Sequence, residues 1–315
     1  MKTVFMGTPD FAADILEALT EAGHEVLCSV TREDTQKGRG RAVSFSPVKE
    51  LSLKHNIEVF QPHRIKDEDS VRFLKGLGAD VFIVAAYGKI LSQEILEIPK
   101  YGCVNVHASL LPKYRGPAPI QQAVINGDKI SGVTIMQMDK GVDTGDILLQ
   151  RKIALSEDET GESLFEKLSK LGGQALCEAL SLMEKGELCP VKQNDSEASY
   201  ARALTKEDGR LDFTGDAESL ERLVRGLYSW PGSFTFHKGR LLKVFSAKAL
   251  SEESYEKLPC GMIVDLKDGI TVSTKKGFIR FKEIQLEGKK RMKAEEFLRG
   301  YKMETGEFLG QEGGD

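Results

Sequence analysis

An amide, an imidazole and a carboxylate stand within residues 102–146, a stretch that reads GCVNVHASLLPKYRGPAPIQQAVINGDKISGVTIMQMDKGVDTGD. Cys103-Val104-Asn105-Val106-His107 alternates apolar and polar residues, the period of a strand. Asn105 and His107 are two positions apart, so they share one face of it. Both fall near its C-terminal end, where open α/β sheets bind their ligands. Asp139, Asp143 and Asp146 lie in a glycine-rich turn after a second predicted strand, residues 132–138. Together an amide, an imidazole and a carboxylate suit acyl transfer to an amine. Asn105 can donate to a carbonyl oxygen as it becomes an oxyanion, His107 can stabilise that charge or move a proton, and a carboxylate of that turn can orient the imidazole. The spacing also fits a plainer reading, in which Asn105 and His107 are satisfied polar groups at a strand end.

The elements around these residues follow from local pattern. After the strand come Ser109-Leu110-Leu111-Pro112 and a loop through Pro119 that three prolines stiffen. Pro117 is placed to open the next helix, which Asn126-Gly127 ends. The glycines of residues 139–146 permit sharp turns and close backbone approach to a ligand. Upstream, strands are predicted at 2–6, 24–30, 58–60 and 80–86, and helices at 47–55 and 67–77. The first helix follows Gly7, with Thr8 as N-cap and Pro9 at the first helical position. Downstream come a strand at 147–153 and a helix at 160–185, which Gly172-Gly173 is placed to bend.

This alternation predicts a doubly wound, Rossmann-like α/β domain over residues 1–187. Its first βα turn has no G-x-G-x-x-G, and Asp10 puts negative charge where a phosphate would lie, which argues against a dinucleotide. Residues 188–205 are polar and poorly periodic, as a linker is. Residues 206–315 change character: a helix at 217–228, then short strands at 233–236, 240–246, 261–265, 269–273 and 277–286, and a last helix at 293–298. Short strands between glycine-rich turns predict a small OB-like β-barrel, with a disordered tail at 310–315.

At 315 residues, with 40% hydrophobic and 29% charged content, the chain has the make-up of a globular protein of two ordinary domains. No leader precedes the first strand and no apolar run approaches the ~20 residues of a membrane span, so a cytoplasmic protein is expected. Its five cysteines show no metal-ligand spacing and are expected to be reduced and mostly buried, with Cys103 a packing group. A net charge of −4 argues against indiscriminate nucleic-acid binding. It leaves room for a specific RNA at local basic patches. One is Lys37-Gly38-Arg39-Gly40-Arg41, in an aperiodic loop at 31–47 where small residues let cations approach phosphates. Another comprises Lys275, Lys276, Arg280, Lys282, Lys289, Lys290, Arg291 and Lys293, which outnumber Glu283 and Glu287 nearby.

Residues 102–146 resemble the signature of the folate-dependent formyltransferases, N-x-H-x-S-L-L-P-x-x-R-G followed by D-x-G-x-D-T-G-D. Every element is present: Asn105, His107, Ser109, Leu110, Leu111, Pro112, Arg115, Gly116, then Asp139, Gly141, Asp143 and Asp146. The resemblance implies 10-formyltetrahydrofolate as formyl donor, no metal, and Asn105, His107 and Asp143 as catalytic residues. It also implies that Ser109, Leu110, Leu111 and Pro112 shape the folate side of the cleft, and that the turn at Tyr87-Gly88-Lys89-Ile90 and the loop at 139–143 line the pterin pocket.

The opening M-G-T-P-x-F-A and the stretch at 225–232, RGLYSWPG, are similar to the transfer-RNA-specific branch, the methionyl-tRNA formyltransferases. Within that resemblance, Lys37, Arg39 and Arg41 belong to the insertion that engages the acceptor end of initiator tRNA, and Arg39 matches its key arginine. The implied acceptor is methionyl initiator tRNA, and a monomer is expected. A small-amine formyltransferase (acting on glycinamide ribonucleotide or an amino-sugar nucleotide) would keep the same three residues without needing the basic loop. An RNA-binding protein on a decayed scaffold and a nicotinamide-dependent enzyme are the readings from other classes.

Overall fold

Short runs of β-branched and aromatic residues, bounded by turn formers, build the first sheet. In the computed structural model, which describes residues 1–37, 42–250 and 258–311, β1 (Lys2–Gly7) leads to α1 (Asp10–Glu21), β2 (Glu25–Val30), the paired β3 (Thr35–Lys37) and β4 (Ala42–Ser44), and α2 (Pro47–Lys54). Next are β5 (Glu58–Phe60), α3 (Glu68–Gly76), β6 (Val81–Ala85), α4 (Gln93–Leu96), β7 (Cys103–His107), α5 (Pro119–Ile125), β8 (Ile130–Gln137), β9 (Ile147–Ala154) and α6 (Gly161–Lys185). The remainder comprises α7 (Ala217–Gly226), β10 (Ser233–His237), β11 (Arg240–Leu250), β12 (Ile263–Asp265), β13 (Ile270–Ser273), β14 (Phe278–Leu286), β15 (Met292–Lys293) and α8 (Ala294–Gly300). The chain divides into two compact units, Met1–Pro119 with Ile130–Ala154 and Phe165–Arg202, and Ile120–Lys129 with Leu155–Leu164 and Ala203–Asp315.

The first unit holds a seven-stranded sheet in the order β5-β2-β1-β6-β7-β8-β9. It is parallel as far as β7, and β8 and β9 continue it antiparallel. All five residues of β6 are buried, as an apolar run covered on both faces should be. β7 is the pivot: Asn105 lies opposite Val84 of β6 and Met136 of β8, and His107 opposite Thr134. Gly172 and Gly173 do not interrupt α6. A Cβ on Gly173 would come 2.5 Å from that of Ala18, and one on Gly172 3.1 Å from Val106. The two glycines let α6 lie close on α1 and β7, which a sequence reading takes for a bend.

Three local expectations are corrected. Pro9, extended at ψ 178, caps α1 and its carbonyl accepts from Ala12 and Ala13; the Thr8 hydroxyl makes no cap bond. α5 begins at Pro119, because the Gly116 and Ala118 amides are held by Asp143 and by the Ala201 carbonyl, keeping the chain extended past Pro117. The segment at 31–47 contains a short antiparallel pairing, Thr35 to Ser44 through Lys37 to Ala42, which backbone bonds sustain without an apolar pattern.

The second unit is an antiparallel half-barrel, OB-like, ordered β10-β11-β14-β13-β12 with β15 against β14. Leu242, Val244, Ile279, Phe281 and Ile284 are almost wholly buried in its core, each stabilising by about 2 kcal/mol relative to exposure. Gly310, expected in a disordered tail, donates to the Phe236 carbonyl at 2.9 Å, and residues 312–315 lie outside the described residues. Beside it, buried His237 donates from Nε2 to Glu307 at 2.9 Å and lies 3.1 Å from the Tyr301 hydroxyl through Nδ1.

Lys238 and then His237 hold the Glu307 carboxyl down to about 2 from its ordinary 4.5. The folded state therefore favours the carboxylate, a contribution complete above pH 4.5 and lost as pH falls through about 2. Glu307→Gln is expected to lower the melting temperature at neutral pH, with a gap to wild type that narrows from pH 4.5 towards 2. Thermal unfolding across that range checks it, and a gap that widens in acid would contradict it.

Candidate active site

β7 delivers both polar side chains to one end of the sheet. Asn105 is half-buried, whereas His107 is 6% exposed. The His107 Nε2 donates to the Tyr114 carbonyl at 2.9 Å, since a carbonyl can only accept. That turns Nδ1 towards Asp143, whose Oδ2 lies 3.6 Å away. Asn105 Nδ2 donates to the other carboxylate oxygen of Asp143 at 3.4 Å, leaving its second N–H for another acceptor. The structure thus brings together the amide, imidazole and carboxylate singled out from the sequence.

Two loops fix the carboxylate. The Gly116 amide donates to Asp143 Oδ2 at 2.8 Å. Asp143 itself adopts a left-handed backbone, φ 55, a conformation Asp tolerates better than most residues. Asp139 accepts from the Gly141 amide and the Thr144 hydroxyl, closing the start of the turn. The neighbouring Arg115 is 2% exposed, and its guanidinium donates to Gln193 and Asp195. Residues 191–201, in the stretch expected as a linker, bond repeatedly to this site. Arg115 N donates to Ser199 O and Ala201 N to Arg115 O, both at 2.8 Å, and Gln193 Nε2 donates to the carbonyls of Asp143 and Gly145. Sequence reasoning missed Gln193 entirely, because one amide in a polar aperiodic run carries no pattern.

Ser109, Leu110, Leu111 and Pro112 leave the same end of β7. Thr134 Oγ1 donates to Ser109 O at 2.6 Å and accepts from Leu111 N at 3.0 Å, while Gln150 donates to Leu111 O. Ser109 and Leu111 are buried, Leu110 and Pro112 half-buried, and the Leu111–Pro112 bond is cis. Across β6, Arg32 holds the tight turn at Tyr87-Gly88 by donating to the Gly88 carbonyl at 2.9 Å. Tyr87 is buried, its hydroxyl finds no partner among the described residues, and burial pushes its pKa up to about 12. An open cleft of about 500 Å³ adjoins the Asp139 turn, lined by Leu96 and Met138 with Gln93, Glu97, Asp139, Lys140 and Gly141.

Cys103 lies on β7 without chemistry: it is fully buried, and burial raises its thiol to about 12. Cys28 is buried likewise, but Cys189 and Cys260 are exposed, so the expectation of mostly buried thiols is too broad. Their segments, a polar stretch and the turn before β12, have no core to enter. Among the described residues no group of three or more His, Cys, Asp or Glu is arranged to hold a metal ion. No helix among them is long and apolar enough to cross a membrane.

Of the basic loop, Lys37 ends β3, and Arg39 and Arg41 lie outside the described residues. In the second unit the expected basic face is thinner than the sequence count. Arg280 is paired with Asp265 and Asp268, which approach from the β12–β13 side, and Arg291 with Glu283 while it lies over the Phe245 ring at 4.2 Å. Lys275, Lys276, Lys289, Lys290 and Lys293 are exposed.

Comparison with known proteins adds to this geometry. A sequence profile described as formyl transferase matches residues 1–180, and one described as formyl transferase, C-terminal domain, matches residues 203–302. The methionyl-tRNA formyltransferase of Lachnospira eligens is 48% identical over 315 residues, covering 99% of this chain and 100% of that protein. Among solved structures, an N-formyltransferase from Helicobacter canadensis in complex with folinic acid and dTDP-3-aminofucose has a TM-score of 0.66 at 18% identity, over 89% of this chain and 98% of that one. HypX from Aquifex aeolicus in complex with tetrahydrofolic acid has a TM-score of 0.63 at 18% identity over 95% of this chain, which spans 47% of HypX. At such identities the two structures show a shared fold.

Proposed function

Because the chain belongs to the formyl transferase family and, within it, to the methionyl-tRNA formyltransferases, we propose that it transfers the formyl group of 10-formyltetrahydrofolate to the α-amine of methionyl initiator tRNA. The products are N-formylmethionyl-tRNA, used in translation initiation, and tetrahydrofolate. The observation that carries the assignment of roles is one carboxylate, Asp143, within reach of both Asn105 and His107 at the end of β7.

In this mechanism Asn105 donates its second N–H to the formyl oxygen as the amine attacks and negative charge gathers there. Asp143 accepts the proton that the attacking nitrogen must lose. His107, held by Tyr114 through Nε2 and facing Asp143 through Nδ1, stabilises the charge, and Asp143 returns the proton it took to the departing folate nitrogen, so the reaction moves one proton and one formyl group in balance. The turn at 139–146 and the loop at 114–118 hold these groups in place before substrates arrive, so little reorganisation is required at the reacting centre.

We place the folate in the cleft beside the Asp139 turn, which apolar Leu96 and Met138 line together with polar Gln93 and Glu97, a mixture that suits a flat heterocycle with a polar edge. Leu110 and Pro112 are the members of the Ser109–Pro112 run with surface to offer it; Ser109 and Leu111 support them from within. We assign Lys37, Arg39 and Arg41 to tRNA phosphates, catalysis to residues 1–187, tRNA binding to residues 206–315, and the connection to 188–205. Two separate profile matches, to residues 1–180 and 203–302, support the division into two domains, and the bonds of Gln193 to the site tie the connecting stretch to the first of them. A monomer in the cytoplasm belongs to the same reading.

Incubating the protein with 10-formyltetrahydrofolate and methionyl initiator tRNA should give formylmethionyl-tRNA by mass spectrometry, with tetrahydrofolate released mole for mole. Folate release without formylated tRNA would overturn the acceptor assignment.

A further inference from the structure

Gln193 is the one residue of 191–197 that is not exposed. Its amide uses its whole hydrogen-bonding capacity on the catalytic loops. Nε2 donates to the carbonyls of Asp143 at 2.9 Å and Gly145 at 2.8 Å. Oε1 accepts from Arg115 Nε at 3.1 Å and Nη2 at 2.8 Å. Arg115 in turn precedes Gly116, whose amide holds the Asp143 carboxylate at 2.8 Å. One side chain therefore closes a ring that runs from the Asp143 carbonyl through Gln193, Arg115 and Gly116 back to the Asp143 carboxylate. We propose that Gln193 is a positioning residue for the reaction: it holds Asp143 in its left-handed backbone and so sets where the carboxylate stands against His107 and Asn105.

Gln193 ties the two loops through its own amide, beside His107, which donates to the Tyr114 carbonyl and faces the Asp143 carboxylate. Without the donors of Gln193, the carbonyls of Asp143 and Gly145 lose their shared anchor, and the carboxylate can swing with the turn. Displacements of about 1 Å at a reacting centre cost up to about 10²-fold in rate. The role rests on the formyl-transfer reading, since that reading gives Asp143 its work.

Gln193→Glu is the informative variant. It keeps an acceptor for Arg115, gaining a charge pair there, and replaces the donating NH2 by one oxygen that repels the two carbonyls. It is expected to lower kcat about 30-fold with KM for tRNA and folate within about threefold. In an Asp143→Asn background the same change should cost less than about twofold, because the two act as one unit. Equal losses in both backgrounds, or a loss confined to KM, would overturn the proposal by making Gln193 a general structural contact. Hydrogen exchange decides it independently of turnover: exchange across residues 139–146 should rise in Gln193→Glu while β1 and β6 stay protected. Unchanged exchange there would overturn the positioning role. A wild type that formylates nothing would defeat the proposed function, and the exchange comparison would still decide the role of Gln193.

Discussion

Asp143→Asn is expected to lower kcat by about 10³-fold and to leave the affinities for tRNA and folate within about threefold. The substitution is isosteric, so an amide oxygen can still accept from the Gly116 amide, now 2.8 Å from Oδ2. The Gln193 bonds to the backbone carbonyls of Asp143 and Gly145 are untouched. What disappears is the charge facing His107 Nδ1 at 3.6 Å and, on the proposed mechanism, the base for the amine proton. Both effects act on the reacting centre, so the loss belongs in kcat. Single-turnover formylation beside a tRNA-binding titration separates the two quantities. Wild-type turnover in Asp143→Asn would remove the carboxylate from the mechanism, and a selective loss of tRNA affinity would move it to binding.

Gly145→Ala is expected to lower kcat by about 10²-fold and to cost about 1–3 kcal/mol of stability, although the change adds one methyl group. A Cβ at Gly145 would lie 1.7 Å from the Gln137 carbonyl oxygen, where no atom fits. The obstacle is backbone on a sheet strand, since Gln137 ends β8 and its amide donates to the Asp146 carbonyl. The turn must therefore move, and Asp143 moves with it. Activity together with the melting temperature tests this. A variant with wild-type kcat would show that the turn can shift without carrying the carboxylate along.

Much of this site is legible in the sequence because its chemistry sits on regular elements. Asn105 and His107 declare a shared face by the strand period, and the uniformly apolar run of β6 declares a central strand. Asp143 is legible only as a carboxylate in a glycine-rich turn, and its reach to β7 is a tertiary fact. Gln193 is illegible: it works through backbone carbonyls 48 and 50 residues away, and any polar aperiodic segment could hold such an amide. The sequence pattern starts α5 too early because the bonds that keep residues 116–118 extended come from Asp143 and Ala201, both distant in sequence. A count along the sequence overstates the basic surface for the same reason, with Asp265 and Asp268 reaching Arg280 across strands.

The central claim is that one site formylates the amine of methionyl initiator tRNA. Its most direct test compares kcat/KM for methionyl initiator tRNA, methionyl elongator tRNA, free methionine and glycinamide ribonucleotide, with 10-formyltetrahydrofolate as donor. Transfer to the initiator at least about 10²-fold above the others is the expected result. Transfer to a small amine at equal or greater efficiency would contradict the claim, leaving Asn105, His107 and Asp143 their chemistry and taking tRNA out of the account.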